Sequence, residues 1–504
     1  MLLSEILRCA RTVVIRCRTP VWMAAAAMLT TLTACTTLGP QYEKPEIDTP
    51  TAFRFEPAVV ADTANTAWWQ QFGDPVLDEL IATALANNYN IQIAAANVEQ
   101  ALGIVTQTRS ELYPQLGYSA SAEKARTPDT GLTAAIPNYP NPQETYQALL
   151  SASWELDLWG RIRSLSEGAQ ASMLATDEAR RGVILTLVSS VANSYINLRG
   201  LDEQLVVSQR TLATYGESVR LYRLQFKYGQ SSQMTVAQAE SQYETVATQI
   251  PQTESQITQL ENALSVLLGR NPGPILRGKP ISELVPPVAP SGLPSELLDR
   301  RPDLLQAEQS LIAANAQIGA AKALYFPTIS LTGAYGGSSS DLSDLFNGST
   351  RSWNFAGQVV GPIFTFGAVS GQVAQAEAAQ RAALANYRLA VQNAFADVDN
   401  ALVANLKIEQ QLLAQKRLVA ALADYERLAK LQYDAGYVPY STVLQAQQTL
   451  FPAELNLAGL RASVLTSSTN IYKAMGGGWI DEAGGMIGRA PPAIEEAKGP
   501  PPLF

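Results

Sequence analysis

Two stretches of this chain lie over each other when glycines are used as rulers. Gly160 and Gly229 are 69 residues apart, and so are Gly367 and Gly436, an offset of 207 at both ends. Upstream, Tyr113-Pro114-Gln115-Leu116 answers Phe326-Pro327-Thr328-Ile329 at an offset of 213. The piece from that proline to the first glycine is therefore 46 residues in one copy and 40 in the other. Downstream, Gly229 precedes Val236-Ala237-Gln238-Ala239 as Gly436 precedes Val443-Leu444-Gln445-Ala446. A tandem duplication accounts for the pattern, so the fold should present its main elements twice.

Within each copy the 69-residue span reads as helix. Leu201, Leu205, Ser208, Leu212, Tyr215, Val219, Tyr222 and Phe226 recur at alternating intervals of four and three, and adding 207 gives Ile408, Leu412, Gln415, Val419, Leu422, Glu426, Ala429 and Tyr433. The polar break, Ser208 or Gln415, falls at the same depth in both. No proline interrupts either span, and at 1.5 Å per residue such a helix would be about 100 Å long. Ala, Gln, Ser and Thr fill positions that a free coiled coil gives to Glu and Lys, as expected if several faces pack against neighbours.

The pieces between proline and glycine alternate instead. In 147–157, Ala148, Leu150, Ala152, Trp154 and Leu156 share one face, with Leu149 the exception on the other. In 352–363, Trp353, Phe355, Gly357, Val359, Gly361 and Ile363 do the same. Candidate partners at 115–124 and 328–336 make two hairpins. Strands of about ten residues with one apolar face are the pattern of a transmembrane β-barrel, although a soluble sandwich reads alike. Four strands cannot close a barrel, and open edges are not tolerated in lipid, so a membrane reading requires several chains. Three chains would give twelve strands.

Composition excludes more than it suggests. The 504 residues contain no histidine, which removes the usual general base and the commonest metal ligand. A net charge of −9 without a basic run disfavours nucleic acid. The three cysteines, Cys9, Cys17 and Cys35, all lie in the first 35 residues, so the rest of the chain can form neither an internal disulfide nor a thiolate metal site. Met173, Met234, Met475 and Met486 are too scattered for a soft-metal relay, and no cofactor or metal is expected.

The N-terminus reads as an address. Arg8, Arg11, Arg16 and Arg18 precede an apolar stretch, 21–32, too short to span a membrane. It ends in Leu32-Thr33-Ala34-Cys35, similar to a bacterial lipobox, in which the cysteine thiol takes a diacylglyceryl group and becomes the N-acylated first residue after cleavage. Removing residues 1–34 would leave 32 basic against 44 acidic residues, a net charge of −12. Thr36, rather than an aspartate, follows the cysteine, which by analogy with lipoprotein sorting favours the outer membrane.

Shorter helices flank the hairpins: Asp74-Pro75 opens one over 76–87, and Pro302-Asp303 opens another up to Ala323. Seven prolines in 271–294 indicate a linker without regular structure. The organisation expected is a signal peptide at 1–34, a first repeat at 35–270, that linker, a second repeat at 295–475, and a loosely ordered tail at 476–504.

Together, the lipobox, Trp68-Trp69-Gln70-Gln71-Phe72-Gly73-Asp74-Pro75, Glu155-Leu156-Asp157-Leu158-Trp159-Gly160-Arg161, Arg300-Arg301-Pro302-Asp303 and Tyr472-Lys473-Ala474-Met475-Gly476-Gly477-Gly478-Trp479 carry a resemblance. Over 35 to about 480 the chain resembles the outer membrane factor family of tripartite efflux systems, TolC-like and of the NodT-type lipoprotein branch. The resemblance implies an α+β membrane protein without catalytic activity. It implies a homotrimer whose twelve-stranded barrel in outer-membrane lipid continues into a long periplasmic α-helical barrel, with the flanking helices and linker as an equatorial belt. It also implies partners, a periplasmic adaptor and an inner-membrane pump of the RND type, which pass drugs or other small molecules through this exit duct. The outlet of a type I secretion system, a pore-less lipoprotein scaffold of coiled coils and a lipoprotein enzyme are the other readings; the last is disfavoured by the missing His and Cys.

At the strand-to-helix junction, Trp154 and Trp159 read equally as interfacial anchors or as rings packed where strand turns to helix. Asp157 and Arg161 read as solvated, as capping residues beside Gly160, or as a mutual pair. Arg300, Arg301 and Asp303 read as structural. The expected gate lies where the long helices reverse, with Tyr433, Asp434, Gly436, Tyr437, Thr442 and Gln445 on one hairpin and Tyr228, Gly229 and Gln238 on the other as the adaptor-docking tip. Relatives often place an aspartate at the third position of a Val/Leu-Leu-Asp-Ala-Gln run in this constriction, and this chain has Val443-Leu444-Gln445-Ala446-Gln447. Polar and aromatic contacts from Tyr433, Tyr437, Thr442 and Gln445 would then hold the tip closed, with Asp434 the nearest replacement carboxylate.

Overall fold

The computed structural model describes residues 37–55, 66–126, 128, 141–288, 294–477 and 479–485. The expected signal peptide, Cys35 and the tail beyond 485 lie outside them. In chain order the helices are α1 (Pro75–Asn87), α2 (Tyr89–Ser110), α3 (Arg161–Lys227), α4 (Gln233–Leu267), α5 (Leu297–Arg300), α6 (Pro302–Ala323), α7 (Ala368–Asp434), α8 (Tyr440–Met475) and α9 (Trp479–Gly485). The strands are β1 (Gln115–Ala125), β2 (Gln143–Leu156), β3 (Thr328–Ser339) and β4 (Arg351–Val360).

Both long helices have 67 residues and start 207 apart. Helices α2 and α6 both have 22 residues and start 213 apart. Helices α4 and α8, of 35 and 36 residues, start 207 apart. The polar breaks Ser208 and Gln415 are both buried and satisfied: Ser208 Oγ donates to the Gln204 carbonyl at 2.8 Å and Gln415 Nε2 to the Ala453 carbonyl at 2.9 Å.

The chain divides into two compact units. The first comprises residues up to Lys44, 101–173 and 310–384, and it holds a four-stranded antiparallel sheet in the order β1-β2-β3-β4. Gln115 faces Ser153 in the first hairpin; adding 213 and 207 gives Thr328 and Val360, which face each other in the second. The six-residue difference between the offsets therefore lies between the strands of each hairpin, after Ala125 and before Gln143 in one and after Ser339 and before Arg351 in the other.

Strand bounds depart from the sequence reading in a physically informative way. Strand β2 begins at Gln143 because Glu144 and Thr145 still pair with Lys124 and Glu123. Strand β4, expected to reach Ile363, stops at Val360. The last residues of β2, Trp154 to Leu156, pair with β3 alone, and their counterparts at 361–363 have no strand on that side within one chain.

The second unit comprises 45–100, 174–309 and 385 onward. Its core gathers Trp68, Trp69 and Phe72 with Leu77 and Ile81 of α1, Val188, Val191 and Tyr195 of α3, Leu264 of α4, Tyr472 of α8 and Trp479 of α9. Trp68 stacks on Tyr472 with centroids 5.3 Å apart and meets Trp69, Phe72 and Trp479 edge-on. Two expectations are corrected here. The tail is not loosely ordered from Gly476, because Trp479, Ile480 and Ala483 are buried in this core. The proline-rich linker is not without regular structure either: Ile281–Glu283 forms a 3₁₀ turn, and Ile275, Ile281 and Leu284 are buried.

Asp74 caps α1, accepting from Val76 N at 3.0 Å, and also accepts from the Lys279 N–H of that linker. Arg301 is buried at the start of α6, where it donates to the Ala474 carbonyl and reaches Asp303 at 2.8 Å and Asp397 at 3.0 Å. Burial opposes its charge, and the two carboxylates more than offset that, leaving its pKa above the ordinary guanidinium value. Arg300 pairs one turn back with Glu296.

Candidate functional site

The sheet has two unlike faces. Tyr118, Leu150, Tyr335 and Trp353 stand side by side across all four strands, as do Leu116, Ala152, Gly333 and Phe355, because directly paired residues share a face. Tyr118 is 87% exposed, Leu116 77% and Phe355 78%. Rows on the opposite face read Gly117-Ser151-Ala334-Asn354 and Ser121-Gln147-Ser338, small and polar, with Leu149 the one large apolar side chain at its centre. An uncovered apolar face of this size marks a surface made for something other than water. Strands β1 and β4 leave both edges open.

At the junction of β2 and α3 the structure brings the expected residues together, with different partners. Arg161 pairs with Glu155, not Asp157, through bonds of 3.1 and 3.0 Å. Asp157 accepts from the backbone N–H groups of Ile162 and Arg163 at 3.1 and 3.0 Å and pairs with the Arg163 guanidinium, so it caps the first turn of α3. Sequence spacing cannot reveal this, since 155, 157, 161 and 163 offer several equivalent pairings. Gly160 has φ 73°, and a Cβ there would sit 2.9 Å from Thr37 Cγ2, which explains the glycine. Trp159 lies flat on Phe326, centroids 4.6 Å apart, and donates its indole N–H to the Pro327 carbonyl at 2.7 Å. Trp154 donates to the Leu112 carbonyl at 2.9 Å.

The turns between α3 and α4 and between α7 and α8 are built alike. Gly229 and Gly436 take φ 73° and 77°, and the N–H groups of Gln230 and Tyr437 reach back to Gln225 and Gln432, the six-to-one bond of a Schellman motif. Beside them Tyr222, Tyr433 and Tyr440 pack ring against ring, at 4.2 Å between Tyr222 and Tyr440 and 5.6 Å between Tyr433 and Tyr440. Val219, Val236, Val443 and Ala446 surround them. Burial pushes the Tyr440 phenol up to about 12 and raises Tyr222 as well. Among the residues expected at the gate, Tyr433 joins this cluster. Thr442 and Gln238 are half-buried, Asp434 and Gln445 are exposed, and Tyr437 and Tyr228 are 82% and 68% exposed. Tyr440 was missed because the position itself does not repeat, although its flanks do: residue 233, its counterpart, is glutamine.

No helix among the described residues is long and apolar enough to cross a membrane, which bears only on helices. The family model described as outer membrane efflux protein matches residues 80–270 and 293–477. The chain belongs to the outer membrane efflux protein family. It is 37% identical over 476 residues to the probable efflux pump outer membrane protein TtgC of Pseudomonas putida, covering 91% of this chain and 96% of that one. The probable outer membrane lipoprotein SilC of Salmonella typhimurium is 34% identical over 455 residues, 89% of this chain and 97% of its own. Among solved structures, the open state of the MtrE outer membrane channel of Neisseria gonorrhoeae superposes with a TM-score of 0.78 at 32% identity, covering 88% of this chain and 99% of that one. This member of the outer membrane efflux protein family is thus an outer-membrane efflux channel protein, in a family of transport proteins rather than enzymes. Its apolar sheet face meets the requirement of that location.

Proposed function

We propose that three copies of this chain close a twelve-stranded barrel in the outer membrane and continue as a tube of helices, forming the exit duct of a tripartite pump. The observation that carries this is the four-stranded sheet with an exposed apolar face and two open edges. In hydrocarbon each unpaired edge group costs several kcal/mol, so both edges must be paired by neighbouring copies. The apolar rows then face lipid and the Ser, Gln and Asn rows line the lumen. Equal helix lengths and identical hairpin register support an origin by tandem duplication, which supplies six similar hairpins to a threefold ring. The tip holding Tyr433, Gly436, Tyr437, Thr442 and Gln445 is the gate, and the grooves beside Gly229 and Gly436 receive the adaptor. Substrates are drugs or other small molecules delivered through that adaptor by an inner-membrane RND pump. A lipid on Cys35 adds a second anchor.

Planar-bilayer recording tests the pore. The purified protein should insert as discrete steps of small, ohmic conductance, and deleting the tip loops 228–232 and 435–439 should enlarge each step severalfold. Insertion without conductance in both forms would overturn the reading.

A further inference from the structure

The repeat arithmetic fixes more than the number of strands. Within the chain, β2 pairs with β3 so that partner numbers add to 485, as in Leu156 with Ile329 and Trp154 with Leu331. Strand β4 corresponds to β2 at an offset of 207, and β1 corresponds to β3 at 213; the first-hairpin pair Gln115 and Ser153 maps onto Thr328 and Val360 under these two offsets. Transferring the β2–β3 register to the open edges gives an inter-chain register in which partner numbers add to 479.

We propose that β4 of one copy pairs with β1 of the next with Val359 opposite Ala120, Gly361 opposite Tyr118 and Ile363 opposite Leu116, and that Phe366 then stacks on the neighbour's Tyr113. The inference rests on the trimer reading above and adds the register and the contact. Three observations support it. The parity is right: the apolar residues of β4 are odd-numbered and Leu116 and Tyr118 of β1 are even-numbered, so an odd sum places them on one face, whereas a slip of one residue would turn that face inward. The register also extends β4 at its C-terminal end by the three residues that β2 possesses there and β4 lacks, which gives 361–363 a partner.

The third observation is at the junction. Trp159 stacks on Phe326 within the chain. The counterpart of Trp159 is Phe366 and that of Phe326 is Tyr113, and their helix-closing turns match, with Tyr113 N donating to Ser110 O as Phe326 N donates to Ala323 O. Phe366 is 101% exposed and holds φ 47°, while Tyr113 is 52% exposed. A non-glycine residue in the left-handed region persists where its surroundings hold it. Here the turn is closed within the chain by Ala368 N donating to Thr365 O at 2.9 Å, and what the Phe366 side chain lacks is a cover, which the ring of a second copy supplies. Phenylalanine has no N–H to give Pro114, so this inter-chain contact lacks the hydrogen bond that Trp159 makes with Pro327.

Cysteine pairs in the full-length protein test the register, because directly opposite residues lie within disulfide range and residues two positions away do not. Under mild oxidation Val359→Cys with Ala120→Cys should give covalent trimers in denaturing gels, and Val359→Cys with Ala122→Cys should not. Cross-linking of the second pair alone, in protein that still runs as a native trimer, would overturn the register and leave the trimer standing; a native monomer would overturn both. For the stack, Phe366→Ala and Tyr113→Ala should each lower the temperature at which trimers dissociate in detergent, the double variant no further than either, and Phe366→Trp should raise it. Fully additive losses, or no loss in either single variant, would overturn the contact.

Discussion

The hydroxyl of Tyr195 donates to Asp74 at 2.8 Å and accepts the N–H of Gly278 at 2.9 Å, so one buried phenol joins the cap of α1 to the proline-rich linker. Burial and the neighbouring carboxylate raise the Tyr195 pKa, keeping it a donor at every physiological pH. Replacing Asp74 by alanine removes a helix cap and the acceptor of the buried Tyr195 hydroxyl and of the part-buried Lys279 N–H, a loss of about 3 kcal/mol. Tyr195→Phe should cost about 1.5 kcal/mol. Because both act in one network, the double variant should lie within about 0.5 kcal/mol of Asp74→Ala. Denaturant midpoints in detergent measure all three, and additive losses would contradict the coupling.

The tyrosine cluster at the tip has a defined pH window. Burial holds the Tyr440 phenol up near 12, above its ordinary value of 10. For an acid whose folded pKa is raised, the stabilisation is complete below the unfolded value and is lost as pH rises through the folded one. The tip should therefore keep its packing unchanged through neutral pH and loosen between about 10 and 12. Phenolate absorbance should show a late-titrating fraction that Tyr440→Phe reduces; a full titration near 10 would contradict the packing.

Much of this was legible in the sequence, for identifiable reasons. Asp74-Pro75 and Pro302 fix helix starts through local backbone chemistry, and the expected spans 76–87 and 302 to Ala323 match α1 and α6 closely. The hairpins were legible because alternation is local. What was not legible depends on spatial neighbours. Trp479 sits in a Gly-rich stretch that reads as loose, and Trp68, Trp69 and Tyr472 bury it. Ile275 and Ile281 lie among prolines, and the core claims them all the same. Arg161 had carboxylates at two distances in sequence, and only the turn at Gly160 selects Glu155. At the tip, Tyr433 was found through the heptad, whereas Tyr222 was read as seam and Tyr440 not at all.

In the proposed gate, the glutamine at 445 should set the ion response. In the proposed trimer, three Gln445 side chains would close a ring by hydrogen bonds without the cation site that three carboxylates would make. Divalent cations added from the periplasmic side should block the wild-type channel weakly, and Gln445→Asp should strengthen the block by at least tenfold in half-blocking concentration, about 1.4 kcal/mol. Strong block in the wild type that Asp434→Asn abolishes would move the acidic ring to Asp434 and contradict this placement of the gate.

Cys35 is the proposed lipid site. Intact-mass measurement of the mature protein should show cleavage before Cys35 and the added mass of a diacylglyceryl group and an N-acyl chain. Cys35→Ser should lack both and still assemble, since the proposed barrel would anchor itself. An unmodified wild-type N-terminus would contradict the assignment.

Each chain is proposed to supply four strands to a shared pore, and native mass spectrometry of the detergent-extracted protein counts the chains that share it. A single species of three protomers that releases monomers only on strong activation is expected. A species of one or two protomers, with helix content intact by circular dichroism, would contradict it.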